Sequence, residues 1–213
     1  IGANGQPDHS MAKLEYASLQ RLAAQVRTMG GIRLCPDATG IVEEEATFAM
    51  SWEQGRELTG LLLSRATSVR EGLELGRAAG NWLKVFHRLG MNSAFSNDLP
   101  EKVLFCKEAI TALHNPPHFM TDCLRKLEAT ALPVGKIQLP VSWALGDFKS
   151  DNLIVDNKQA VGIDIHIIEQ DAVTYNVAQF LVHLELLCWT PRGLLQRPVL
   201  EAAAQGFLNA YLP

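Results

Sequence analysis

Most of the chain follows the three- to four-residue apolar period of amphipathic helices. The first periodic segment covers 11–29 and is followed by Gly30 and Gly31, residues typical of the end of a helix. The same period predicts further helices over 69–89, 101–114, 118–132, 173–189 and 194–212. Residues 91–100 are rich in Asn, Ser and Pro and predict a loop. The chain is therefore predicted to be mainly helical.

Two stretches have the composition of β-hairpins instead. Residues 40–44 and 47–51 are short β-prone runs joined by acidic residues, and they precede the second predicted helix. Residues 153–155 and 161–165 are β-branched runs on either side of the turn formers Asp156, Asn157, Lys158 and Gln159. Because helices flank this second hairpin, the fold class is predicted to be α+β.

The composition is that of a folded globular protein without a strongly charged surface. The chain has 213 residues, of which 47% are hydrophobic, enough for a buried core. Its net charge is -4, and it has no run of Lys and Arg with interleaved aromatics that would indicate nucleic-acid binding. No apolar stretch reaches the roughly 18 residues of a membrane span, and no export signal is visible. We therefore expect a cytoplasmic protein with no nucleic-acid or membrane partner.

The cysteines and histidines show no metal-binding pattern. The four cysteines are scattered, without a Cys-x-x-Cys pair or a histidine at ligand spacing, which predicts reduced thiols and no zinc site. His87 and His183 lie in apolar helical segments and are predicted to be packing residues. His166 alternates with apolar neighbours and is predicted to end a strand, facing solvent or a neighbour.

One segment combines polar residues in a pattern suited to phosphoryl transfer. Asp147 and Asn152 bracket a short loop that enters the second hairpin, and Asp164 lies near the end of that hairpin. The antiparallel return of the chain can bring Asp164 beside Asn152. Their amide and carboxylate oxygens are hard ligands suited to Mg²⁺. Asp147 then fits the proton acceptor of a phosphoryl transfer, and Lys149 fits the cation that neutralises phosphate.

The run Gly-Asp-Phe-Lys-Ser-Asp-Asn-Leu-Ile-Val (146–155), followed by Gly-Ile-Asp (162–164), resembles a known catalytic loop and metal-binding strand. They are those of the aminoglycoside phosphotransferase and choline kinase superfamily, and the Asp-x-Lys-x-x-Asn order also matches protein kinases. The resemblance implies a protein-kinase-like fold of two lobes. An incomplete small β lobe would cover 1–51, and a mainly helical large lobe with a catalytic β-hairpin would cover 52–213.

The same resemblance implies a role for each polar residue of this segment. Asp147 would be the catalytic base, and Lys149 would lie near the γ-phosphate. Asn152 and Asp164 would be the Mg²⁺ ligands. The implied cofactors are Mg²⁺ and ATP or GTP, and the implied partner is a small molecule that accepts the phosphoryl group on a hydroxyl.

Two upstream segments are also similar to this family. Residues 48–58, Phe-Ala-Met-Ser-Trp-Glu-Gln-Gly-Arg-Glu-Leu, resemble its strand, hinge and turn between the lobes. In that alignment Met50 is the gatekeeper, and backbone groups of Ser51 and Glu53 would meet adenine. Residues 13–22 resemble the single helix of the small lobe, which makes Glu15 the candidate to pair with the ATP-binding lysine.

The sequence departs from the family pattern at three places. Leu145 stands where the family usually has a histidine that braces the loop, and Asn176 stands where it tends to have an aspartate that anchors the loop. No glycine-rich loop and no strand lysine precede the first helix. Because the chain opens with Ile1 and not Met, we expect the protein to have further residues upstream; the other interpretation is a degenerate kinase.

Three functional hypotheses follow. The first is a kinase that phosphorylates a hydroxyl of an aminoglycoside-like antibiotic, an amino alcohol or a sugar. The second is a pseudokinase or nucleotide-binding module without turnover. The third is a helical structural protein in which the Gly-Asp-Phe-Lys segment is a coincidence. The oligomeric state stays open, and so does the acceptor, which residues 92–139 and the tail after Trp189 would select.

Overall fold

The computed structural model describes residues 9–28, 33–116 and 118–212. More than half of these residues are helical. The helices are α1 (His9–Thr28), α2 (Leu58–Leu62), α3 (Val69–Gly90), α4 (Leu99–Thr111), α5 (His118–Ala131), α6 (Thr174–Cys188), α7 (Pro191–Leu195) and α8 (Arg197–Tyr211). The strands are β1 (Ala38–Val42), β2 (Thr47–Met50), β3 (Arg56–Glu57), β4 (Asn92–Asp98), β5 (Lys136–Leu145), β6 (Leu153–Asp156), β7 (Gln159–Gly162) and β8 (Ile167–Ala172).

The helices that the apolar period predicted are present, with ends that differ by a few residues. The helix α3 begins at a capping box, in which the Ser68 hydroxyl accepts from the Glu71 N–H and the Glu71 carboxylate accepts from the Ser68 N–H. This reciprocal pair satisfies two of the donors that a helix start leaves without a partner. The predicted stop of the first helix at Gly30 and Gly31 lies outside the described residues. No helix in the described part of the chain is long and apolar enough to cross a membrane.

Both predicted hairpins are present, although the last strand of the second one, predicted over 161–165, ends at Gly162. The strands β1 and β2 pair antiparallel, with Val42 opposite Thr47. The strands β6 and β7 also pair antiparallel, and the two turn residues between them, Asn157 and Lys158, have φ of 45° and 66°. Two successive left-handed residues are typical of a tight hairpin turn. The second hairpin thereby returns the chain to the loop that carries Asp147.

The predicted loop over 91–100 is wrong, because residues 92–98 form β4. This strand pairs antiparallel with β5, so that Ser96 lies opposite Gln138 and Asp98 opposite Lys136. A polar strand of this kind is stabilised by its partner and not by its own residue preferences. The pattern along the chain predicted neither β5 nor β8.

The chain divides into two compact units, residues 1–91 with 142–213, and residues 92–141. In the second unit α4 packs on α5, and the Lys107 ammonium lies 3.2 Å from the Glu128 carboxylate. The first unit contains the predicted catalytic segment. The boundary predicted between residues 51 and 52 falls inside the first unit and stays a prediction.

The first unit is built around a close contact between α3 and α8. Gly72, Gly76 and Gly80 lie one helical turn apart on α3 and face the backbone of α8. A Cβ at Gly72 would lie 2.6 Å from the Val199 carbonyl oxygen, and a Cβ at Gly76 would overlap that of Ala203. Glycine therefore lets the two helix backbones approach more closely than any other residue allows.

An aromatic cluster beside this contact forms the centre of the core. Trp82 and Phe86, on the apolar face of α3, are both buried. Phe148, from the predicted catalytic loop, stacks on Trp82 and on Phe180, with ring centroids 5.5 and 5.4 Å away. Phe180 in turn stacks on Phe207 of α8. The loop is therefore anchored in the rigid interior by its own phenylalanine.

Candidate active site

The loop between β5 and β6 presents two charged side chains on either side of a buried one. Phe148 is buried, whereas the side chain of Asp147 is 55% exposed and that of Lys149 is 32% exposed. The Lys149 ammonium lies 2.5 Å from the Asp147 carboxylate and donates to it. This hydrogen bond raises the pKa of Lys149. The predicted base and the predicted phosphate ligand are thus paired with each other.

Asn152 connects the loop to the far end of the hairpin. Its side-chain amide donates to the backbone carbonyl of Asp147 at 3.0 Å and lies 3.4 Å from the Asp164 carboxylate. The backbone reinforces this connection, because the Ile163 N–H donates to the Asn152 carbonyl at 2.9 Å. Asp147, Asn152 and Asp164 therefore come together, as the hairpin spacing predicts.

The Asp164 side chain is presented from a left-handed backbone. Its φ is 56°, two residues beyond the end of β7. Such a conformation costs on the order of 1 kcal/mol for a residue other than glycine, although aspartate is among those that tolerate it. Strained backbone of this kind clusters at functional sites, which supports a functional role for Asp164.

Glu15 from α1 lies beside Asp164. Burial, the Asp164 charge and a hydrogen bond to Asp164 together raise the pKa of Glu15 to about 7. Two neighbouring carboxyl groups of this kind favour a shared proton or a cation between them. Among the described residues, no group of three or more His, Cys, Asp or Glu side chains is arranged to hold a metal ion. The carboxyl and amide oxygens at Asp164 and Asn152 are nevertheless of the kind that Mg²⁺ binds together with phosphate and water.

The predicted hinge residues form a second polar group, next to the β1–β2 hairpin. Met50 ends β2, and the Ser51 N–H donates to the Asp37 carbonyl at 2.8 Å, which leaves the Ser51 carbonyl as its backbone group for a ligand. The Glu53 carboxylate lies 2.5 Å from the Arg33 guanidinium, which also donates to the Ser51 hydroxyl at 2.9 Å. No sequence motif pointed to Arg33 or Asp37, because their partners lie on the following strand and hinge.

Leu145, at the start of the loop, is held by Asn176 of α6. The Leu145 N–H donates to the Asn176 amide oxygen at 2.9 Å, and the Asn176 amide nitrogen donates to the Leu145 carbonyl at 2.8 Å. An aspartate could make only the first of these bonds, since an ionised carboxylate has no donor. The Leu145 side chain itself is buried in the core. The two departures from the family pattern are therefore compatible with an anchored loop.

A buried histidine stands behind Asn176. His87 Nε2 lies 3.3 Å from the Asn176 amide oxygen, and His87 Nδ1 lies 2.7 Å from the Tyr211 hydroxyl. Because the amide oxygen only accepts, Nε2 donates and Nδ1 accepts from Tyr211, the pattern of a neutral imidazole. Burial lowers the pKa of His87 to about 4 and raises that of Tyr211 to about 12. Both groups thus stay uncharged at neutral pH.

The neutral state of His87 should make the protein less stable as the pH falls. The unfolded chain binds a proton near the usual pKa of 6.5, whereas the folded protein resists protonation down to about 4. Between these two pKa values the unfolded state binds more protons than the folded state. The free energy of unfolding should therefore decrease by about 3 kcal/mol as the pH is lowered through this window. Urea unfolding between pH 7.5 and about 4 measures this slope. The slope should be shallower in His87→Gln, and equal slopes in the two proteins would contradict the assignment.

Comparisons with known proteins bear on the family and the fold of the chain. The sequence model described as "Phosphotransferase enzyme family" matches residues 6–163, more than half of the chain. Comparison with curated proteins gives no match. Three solved structures of glucosamine kinase are similar to this chain, one of them in complex with glucosamine, ADP and inorganic phosphate.

The three likenesses have TM-scores of 0.56–0.57 at 15% sequence identity and cover 90–91% of this chain. The chain spans 56–57% of the length of those kinases. At this identity the structural similarity is evidence for the fold, and it confirms the predicted α+β, kinase-like architecture. With residues 6–163 matched by the family's sequence model, the chain belongs to the phosphotransferase enzyme family.

Proposed function

We propose that this chain carries the phosphoryl-transfer centre of a small-molecule kinase, which moves the γ-phosphoryl group of ATP or GTP to a hydroxyl of its acceptor. The observation that carries the proposal is the convergence of Asp147, Asn152 and Asp164 at one end of the β6–β7 hairpin. Membership of the phosphotransferase family and a kinase-like fold support it.

Asp147 is the proton acceptor in this proposal. The acceptor oxygen forms a bond to the γ-phosphorus, the bond between that phosphorus and the nucleoside diphosphate breaks, and the hydroxyl proton passes to the Asp147 carboxylate. The exposed position of this carboxylate lets an acceptor approach it. The Lys149 ammonium, which pairs with Asp147, is flexible enough to turn towards a phosphate once a nucleotide binds.

Asn152 and Asp164 are the groups that would hold Mg²⁺. The Asn152 amide nitrogen is used by the Asp147 carbonyl, which leaves its amide oxygen as the ligand. The metal would neutralise charge on the nucleotide phosphates. Glu15, whose pKa is raised by burial and by the neighbouring Asp164, is the group we assign to the ATP-binding lysine.

The nucleotide base would bind at the hinge. Met50 would close the back of the adenine site as the gatekeeper. The Ser51 carbonyl fits an acceptor for the exocyclic amine of adenine, because the Ser51 N–H is already used by Asp37. A backbone group of Glu53 would make the second contact. The Arg33 ion pair with the Glu53 side chain supports this backbone in a fixed position.

The family and the structural neighbours suggest candidates for the acceptor. An amino sugar is the first candidate, since one similar kinase structure holds glucosamine and ADP. Aminoglycoside-like antibiotics and amino alcohols are the other candidates. The expected location of the protein is the cytoplasm, where ATP and Mg²⁺ are both available.

The test is a phosphoryl-transfer assay with the full-length gene product. The protein would be incubated with ATP or GTP, Mg²⁺ and a panel of amino sugars, aminoglycosides, amino alcohols and neutral sugars, and products would be identified by mass spectrometry. At least one acceptor should gain a phosphoryl group, and chelation of Mg²⁺ should stop the transfer. A protein that binds neither nucleotide nor any acceptor would contradict the proposal.

A nucleotide-binding module without turnover is the second candidate. The ion pair of Asp147 and Lys149 favours this candidate, because it engages the carboxylate that would otherwise act as the general base. A thermal shift with Mg²⁺ and ATP, together with no transfer to any acceptor in the panel, would select this candidate over the kinase.

A further inference from the structure

Gln179, on α6, contacts the backbone on both sides of Asp147. Its side-chain nitrogen donates to the Gly146 carbonyl at 2.8 Å, and its side-chain oxygen accepts from the Phe148 N–H at 3.2 Å. These two peptide groups flank the Cα of Asp147. A single amide side chain therefore bridges the two peptide units that set the direction of the Asp147 side chain.

The orientation of this amide is determined by its neighbours. The Gln179 side-chain oxygen also accepts from the Asn176 amide nitrogen at 2.7 Å. A flipped Gln179 amide would bring its nitrogen against two N–H donors, so one orientation alone satisfies every group. Asn176 is held in its turn by Leu145 and by His87, whose other nitrogen contacts Tyr211. A chain of neutral groups thus runs from α8 through α3 and α6 to the loop.

The Gln179 bridge matters because the Asp147 side chain is exposed and has few contacts of its own to hold it. Its carboxylate projects from the loop and meets the ammonium of Lys149, a partner that is itself partly exposed to solvent. The buried Phe148 ring holds the loop in the core, but a ring does not fix the rotation of the neighbouring peptide groups. Hydrogen bonds from Gln179 on both sides do fix them. Because the bridging amide is uncharged, it adds no net charge beside the carboxylate.

We propose that Gln179 is a positioning residue, which fixes the peptide groups before and after Asp147 and so holds its carboxylate towards the acceptor. The catalytic part of this inference rests on the proposed kinase function. The structural part, the bridge itself, can be measured without any activity. The two parts can therefore fail separately.

The bridge is tested by backbone amide exchange in the full-length protein. In Gln179→Ala the Phe148 amide should exchange about tenfold faster, the effect of losing one hydrogen bond. The Leu145 amide, which Asn176 holds, should change less. In Gln179→Glu a carboxylate oxygen still accepts from the Phe148 N–H, so its protection should persist. Gln205→Ala is the matched control, because Gln205 bonds to Asn209 on the exposed face of α8.

The catalytic part is tested by kinetics with an acceptor that the wild type phosphorylates. In Gln179→Ala kcat should fall by about 10- to 100-fold, the scale of a misplaced catalytic group, while KM for the nucleotide changes little. The kcat of Gln179→Glu should lie between those of Gln179→Ala and the wild type. Unchanged exchange at Phe148, or faster exchange with an unchanged kcat, would overturn the positioning role. If the wild type transfers no phosphate but the Phe148 amide still exchanges faster in Gln179→Ala, the proposed kinase function would be wrong and the bridge would stand.

Discussion

Replacing Asp147 with asparagine should lower phosphoryl transfer by about 10²- to 10⁴-fold, the range that removal of a general base produces. The asparagine oxygen can still accept from Lys149, so the loop should keep its shape, but an amide does not take up the acceptor proton. Nucleotide affinity should be retained, because the nucleobase is assigned to hinge residues 50–53 and not to Asp147. Steady-state transfer and calorimetric nucleotide binding measure the two effects.

The matched control is Asp156→Asn. Asp156 is exposed at the end of β6 and accepts from the neighbouring Asn157 amide at 3.1 Å, away from the catalytic loop. The same chemical change there should leave kcat unaltered. Full activity in the Asp147 variant would end its assignment as the base, and equal losses in both variants would indicate a general effect of lost charge.

Gly76→Ala should have the largest effect on stability, lowering the free energy of unfolding by about 3 kcal/mol. A Cβ at this position would overlap the Ala203 carbonyl oxygen; the oxygen belongs to the backbone of α8 and the Cβ is fixed directly to the backbone of α3, so neither can turn aside. The helices α3 and α8 must then separate, which opens the contact on which the aromatic core of the first unit rests. Urea unfolding, followed by circular dichroism, measures the change.

Gly60→Ala provides the comparison within the same protein. Gly60 lies on α2, is exposed, and a Cβ added there would meet no atom within 4 Å. Alanine should therefore be neutral or stabilise by up to about 1 kcal/mol, because it restricts the unfolded chain and favours the helix. Equal unfolding midpoints for the two variants would contradict the close approach of α3 and α8.

The elements that could be predicted from the sequence are those stabilised by contacts close along the chain. The helix α3 carries its own capping box and apolar face, and the turn of the second hairpin lies in the two residues between its strands. The strand β4 could not be predicted, because its polar residues form a strand only when paired with β5, some forty positions later. The second compact unit was missed for the same reason.

The candidate site divides in the same way. Asp147, Asn152 and Asp164 could be identified because one loop and one tight hairpin connect them, so their order along the chain largely sets their distances. Lys149 was predicted as a phosphate ligand, and its pairing with Asp147 became visible only in three dimensions.

The groups behind the site depend on the tertiary structure alone. Gln179 lies 31 positions from Phe148, His87 lies 89 from Asn176, and Tyr211 lies 124 from His87. Each is an ordinary helical residue in the sequence, with no motif around it. Hydrogen bonds over such separations form only after α3, α6 and α8 have packed together.

The amino-acid sequence alone was sufficient to determine the helical periods, the two hairpins and the order of the polar residues around Asp147, because each depends on neighbours within about twenty positions. Packing decided the rest: which glycines let α3 meet α8, which strand pairs with β5, and which amides hold the loop at Leu145 and Gly146. Those choices depend on the shape of surfaces that exist only when distant segments meet. A linear pattern records the residues that make such surfaces but not their mutual fit.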